Sequence, residues 1–95
     1  MPEVRFTIRW PNGKSEDCYS PSSVIKEYLD PGRTYPIAEF RERARTALSM
    51  ASERVRAKYG FPCSRALGQI ERIEAGCRTF DDTADAAVGV LSFQE

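Results

Sequence analysis

Cys63-Ser64-Arg65, with Tyr59 just before it, is the stretch best able to do chemistry in this 95-residue chain. Gly60-Phe61-Pro62 stops one helical pattern, and another begins at Cys63 or Ser64. A helix start offers free N–H groups and positive potential. A thiol there is activated as a nucleophile, and an arginine can fork onto a carboxylate or phosphate. The plainer reading makes Ser64 a cap, Cys63 a packing group and Arg65 a surface charge. The absence of histidine favours it, because no Cys/His or Ser/His pair can form.

Other polar stretches are weaker candidates. Arg33-Thr34-Tyr35 could make a polar patch beside a helix start, and Ser20-Pro21-Ser22-Ser23 could hold an anion or accept a phosphate. Capping explains the serines as well. Asp81, Asp82 and Asp85 do not have EF-hand spacing and read as an acidic loop. Cys18, Cys63 and Cys77 include no C-x-x-C pair and fall short of a four-thiolate zinc site, so no metal and no cofactor is expected. Their odd number points to reduced thiols.

Composition narrows the partners. Fourteen basic and fourteen acidic residues give zero net charge, which argues against nucleic acid and membrane surfaces. No apolar run approaches the roughly 20 residues of a membrane span. Met1 to Arg5 enters a strand pattern without a signal-peptide core, so cytoplasm is the expected compartment. The length suits a single domain, residues 1–95, burying roughly 60–65% of its unfolded surface.

The elements that must position these groups are organised around one helix. Ile37, Phe40, Ala44, Ala47, Leu48, Ala51, Val55 and Tyr59 recur at three- and four-residue spacing and form one apolar stripe. The helix would be about 35 Å long, starting at Pro36 and stopped by Gly60. Before it, Val4, Phe6, Ile8 and Trp10 alternate with Arg5, Thr7 and Arg9 as a half-buried strand. Pro11-Asn12-Gly13 reads as a three-residue bulged loop, pairing Trp10 with Lys14 and Phe6 with Cys18 in a second strand. A tighter Asn12-Gly13 loop would point Ser15 and Asp17 into the core.

Ser20 as cap and Pro21 as first helical residue start a short helix with Val24, Ile25, Tyr28 and Leu29 inward. Arg33-Thr34-Tyr35 is a link. The third helix runs to about Arg78, with Ala66, Leu67, Ile70, Ile73 and Cys77 inward and Gly76 weakening its last turn. It forms an αα-hairpin with the long helix. Ala87 to Phe93 is a last strand, turning in either Val88 and Val90 or Leu91 and Phe93, and it joins the first. The expected fold is α+β: a small, mostly antiparallel three-stranded sheet, ordered strand-strand-helix-helix-helix-strand, with the helices on one face. Phe61, Trp10 and Tyr35 are candidates for an interface patch, with core the better reading for Trp10.

R-F-T-I-R-W-P-N-G from Arg5 to Gly13, C-Y-S-P-S from Cys18 to Ser22 and P-G-R-T-Y-P from Pro31 to Pro36 stand in order before A-S-E-R-V-R-A-K-Y-G-F from Ala51 to Phe61 and C-S-R-A-L from Cys63 to Leu67. Together they resemble a family of small bacterial nitrogen-starvation-response proteins. Its members are typically encoded beside a nitrilase, with a radical-SAM protein, an acetyltransferase, a flavoprotein and a glycosyltransferase. The resemblance implies a cytoplasmic protein tied to nitrogen limitation or nitrile metabolism, and it assigns no catalytic residue.

The reading that follows is an accessory or regulatory protein that binds a protein of its own gene cluster. The alternative is a small enzyme or metabolite-binding protein using Cys63, Ser64 and Arg65, with Arg33 and Tyr35 as further candidate ligand-binding residues. A homodimer through the apolar helix border or a sheet edge is the third class.

Overall fold

The computed structural model describes residues 3–95. Strands β1 (Val4–Arg9) and β2 (Ser15–Ser20) are followed by a short helix α1 (Ile25–Tyr28) and strand β3 (Thr34–Pro36). Helices α2 (Ile37–Tyr59) and α3 (Ser64–Thr79) and strand β4 (Ala87–Gln94) complete the order. The fold is α+β, and its sheet has four strands in the order β2-β1-β4-β3, every pair antiparallel.

The fourth strand corrects the three-stranded expectation. Arg33-Thr34-Tyr35 does not simply link two helices: Thr34, Tyr35 and Pro36 pair with Gly89, Val88 and Ala87. Three residues are too few to show alternation, so the strand has no pattern of its own. It exists because the outer edge of β4 needs partners. Val90 N–H donates to the Arg33 carbonyl, and Gly32, at φ +85, donates to the Val90 carbonyl, both at 2.8 Å. Pro36, lacking an N–H, ends the pairing and occupies the N-cap position of α2, which starts one residue later than expected.

The β1–β2 hairpin has the three-residue loop. Trp10 N–H donates to the Lys14 carbonyl, Gly13 N–H returns to the Trp10 carbonyl, both at 2.8 Å, and Phe6 faces Cys18. Gly13 takes φ +89, the conformation that requires glycine there. The two readings of the last strand merge. The β1–β4 register shifts so that Ile8 faces Val90 while Thr7 faces Ser92, leaving Leu91 as an extra residue. That bulge lets Val88 and Val90 turn inward and still brings Phe93 opposite Phe6, their rings 6.3 Å apart.

The core lies between the sheet and the helices. Val4, Phe6, Ile8, Val88 and Val90 meet Phe40, Ala44, Ala47 and Leu48 of α2, Ile73 and Cys77 of α3, and Ile25 and Leu29. Trp10 closes one end. Its ring meets Phe40 edge-on at 6.2 Å and stacks near Phe80 at 6.0 Å, and its Nε1 donates to Glu16 Oε1 at 3.1 Å. Gly76 explains why α3 carries a glycine in its last turns: a Cβ there would lie 2.6 Å from Trp10 Cζ2.

Four further expectations are corrected. The first helix begins at Ile25, not Pro21, because Ser20 belongs to β2 and its Oγ donates to the Ser22 carbonyl at 2.7 Å instead of capping. Ser22 Oγ, buried, accepts the Val24 N–H and an Arg54 guanidinium N–H. The buried stripe of α2 ends at Ala51 and Ser52; Val55 is half-buried and Tyr59 is 58% exposed. In α3, Leu67 faces solvent instead of the core, and Gln69, outside the expected inward set, is buried. Ser64 is the first helical residue of α3, and neither it nor Cys63 supplies a side-chain cap.

Candidate functional site

The α2–α3 turn is built by its punctuation. Gly60 adopts φ +89 and its N–H donates to the Arg56 carbonyl at 2.8 Å, closing α2. Phe61 and Pro62 cross to Cys63, which stands at the N-cap with extended backbone. Without a side-chain cap, the first N–H groups of α3 keep their donor capacity. The half-buried Cys63 lines a cleft of about 340 Å3 with Glu3, Tyr19, Pro21, Val55 and Tyr59. Glu3 is the carboxylate of that lining.

Arg65 turns to the other side of Tyr19. Its guanidinium lies 3.9 Å from the centre of the Tyr19 ring and lines a second cleft, of about 420 Å3, between β2 and α3. Arg5, Asp17, Gln69 and Arg72 share that wall. Tyr19 therefore divides two clefts, one holding Cys63 and the other Arg65. Burial, then the nearby Glu3 charge, raises the Tyr19 phenol above its ordinary value against the opposing pull of Arg65.

Arg33 and Tyr35 stand elsewhere. They belong to the β3 edge, and Arg65 lies beside β2 at the opposite edge. Tyr35 is 1% exposed, and its hydroxyl accepts the Asp30 N–H at 2.9 Å. Arg33 and Arg43 sit over its ring at 5.0 and 5.2 Å, Arg33 also reaches Asp30, and Arg43 donates to the Tyr28 carbonyl. These contacts tie α1, β3 and α2 together. Ser64 is exposed and lines neither cleft, so of the five candidate residues only Cys63 and Arg65 border hollows, different ones, and Arg33 and Tyr35 do not join them.

Sequence reasoning missed Gln69, Tyr19, Arg5 and Arg72. A signal existed for Gln69: Ala66, Gln69, Ile73 and Cys77 follow helical spacing, so a polar side chain occupies a core-facing position. The three thiols are free. Cys18 and Cys77 are buried, which raises both, Cys77 to about 11. Among the described residues no group of three or more Cys, Asp or Glu side chains could hold a metal ion, and no helix is long and apolar enough to cross a membrane.

The fold and its clefts define a small α+β protein built around an αα-hairpin, with polar hollows on both sides of the hairpin's junction with β2. The sequence profile of the nitrogen starvation-induced protein NitG matches residues 5–93, and the chain belongs to that family. No curated protein and no solved structure shows significant similarity to it.

Proposed function

We propose that this nitrogen starvation-induced protein is a cytoplasmic accessory or regulatory protein that acts by binding an enzyme of a nitrilase gene cluster. The observation that carries this reading is the apolar end of the αα-hairpin. Tyr59, Phe61 and Leu67 are 58%, 66% and 45% exposed, on the turn and the helix ends beside it. Exposed aromatics grouped on one feature are typical of binding hot spots. Both sheet edges are poor places for strand addition: β3 is three residues long and ends in Pro36, and the Tyr19 N–H of β2 is already taken by Gln69 Oε1. This turns attention from a sheet-edge homodimer to the hairpin.

The test is co-purification from nitrogen-starved cells, followed by reconstitution with the purified cluster enzyme. The expected result is a complex formed by the wild-type chain and lost in Phe61→Asp. Recovery of free chain alone, or a Phe61→Asp variant that binds as well as wild type, overturns it.

A second reading is favoured by the cleft that holds Cys63. A metabolite-binding protein or small enzyme would use Cys63 and the Glu3 carboxylate there, with Ser64 next in sequence at the start of α3. Iodoacetamide labelling against pH separates the two: alkylation of native Cys63 well below the ordinary thiol range of ~8.5 supports it. Protection until unfolding removes it.

A further inference from the structure

Charge is distributed unevenly over this neutral chain. Arg33, Arg41, Arg43, Arg45 and Arg56 each lie within 4 Å of a carboxylate. Arg72 is likewise paired, 3.7 Å from Glu16, whereas Arg5 and Arg65, like Arg9, Arg54 and Arg78, have no such partner among the described residues. Arg5, Arg65 and Arg72 line the same cleft, the one of about 420 Å3 between β2 and α3. Asp17 is the carboxylate in that wall, and its Oδ1 already accepts the Thr7 hydroxyl at 2.8 Å. Three guanidinium groups against Asp17 in the wall and Glu16 beside Arg72 leave one positive charge in excess at the hollow.

A second observation is independent of charge. Gln69, only 7% exposed, belongs to the same wall. Its Oε1 accepts the Tyr19 N–H at 3.0 Å, which fixes the amide's orientation, and its Nε2 is left buried without an acceptor. Native proteins rarely leave a buried donor unpaired. The stack of Arg65 on Tyr19 occupies the face of the guanidinium and leaves its N–H edge to donate.

We propose that the β2–α3 cleft binds a small dianion, a dicarboxylate or a phosphate monoester, with its charge on Arg5, Arg65 and Arg72 and one oxygen accepting from Gln69 Nε2. The cleft is of a size suited to small molecules, and guanidinium groups fork onto both oxyanion types. The site lies on the far side of Tyr19 from the Cys63 cleft and does not involve the exposed hairpin aromatics, so its failure would leave the protein-binding reading untouched.

The test is an NMR titration of the full chain with succinate in one arm and methyl phosphate in the other, at constant ionic strength, with chloride as reference. The expected result is a saturable shift of the Gln69 side-chain amide and the Arg65 and Arg72 Nε–H signals in at least one arm, and the arm that saturates identifies the oxyanion. Arg72→Gln, a change at an exposed side chain, should weaken binding about tenfold, the scale of one lost charge-assisted hydrogen bond. Gln69→Leu should weaken it by a smaller factor, with the Phe40 and Val88 signals unmoved as a check on the fold. Shifts that match those of chloride, that fail to saturate in both arms, or that persist unchanged in Arg72→Gln overturn the proposal.

Discussion

The two ends of α2 are built from the same kind of residue and meet different fates. From Ile37 to Ala51 every apolar stripe position is buried against the sheet, and Phe40, Ala44, Ala47 and Leu48 are wholly enclosed. From Glu53 to Tyr59 the same spacing continues, yet Val55 is half-buried and Tyr59 faces solvent. A helix of 23 residues is about 35 Å long, more than the sheet can cover. The uncovered length is where the hairpin turn, Cys63 and the exposed aromatics sit. One end of the rod provides the core and the other provides surface, although periodicity alone treats them alike.

Substitutions should separate the ends by size of effect. Phe40→Ala removes a fully buried ring that also meets Trp10, and should cost about 3–5 kcal/mol in urea unfolding. Gly76→Ala sharpens the contrast through its sign. Glycine to alanine inside a helix ordinarily adds up to about 1 kcal/mol. Here the new methyl meets the Trp10 ring, so a loss of about 1–3 kcal/mol is expected. A gain in stability would show that Trp10 does not pack against α3.

The buried thiols give the covered end a pH dependence. Burial pushes Cys77 up from 9.0 to about 11, and Cys18 moves the same way. The unfolded chain therefore loses these protons first. The thiols' contribution is complete below about pH 9 and falls as pH rises towards 11. Urea midpoints measured from pH 8 to 11 should decline, and less steeply in Cys77→Ala. At the uncovered end, Phe61→Ser should change stability by less than about 0.5 kcal/mol. A large loss there would mean that the aromatic end is packed and is not available surface.

Much of the covered end was readable from residue types. Alternation locates β1, the Pro11-Asn12-Gly13 loop sets the hairpin register, and Gly60 stops α2. What escaped depended on partners far along the chain. β3 is a strand only because β4 offers it an edge, and the Leu91 bulge follows from β1 pairing on both sides of Thr7. Helical periodicity does not show where the sheet beneath α2 ends, so by spacing alone Val55 and Tyr59 read as core. In α3, residue character and position disagree: Leu67 reads as inward by type, yet spacing favours Gln69, which is the buried one. The candidate site was half legible. Cys63 and Arg65 do border hollows, but Tyr19 parts them, and Arg33 and Tyr35 serve another edge.

Amide hydrogen exchange along α2 and α3, for the chain alone and with the enzyme proposed as its partner added, tests the division most directly. In the free chain, amides from Arg41 to Ala51 should exchange only through global unfolding, while those from Val55 to Leu67 exchange much faster. On complex formation the second group should slow and the first should not change. Equal protection along the whole of α2 in the free chain, or a complex that leaves the Val55 to Leu67 amides fast, would contradict the account.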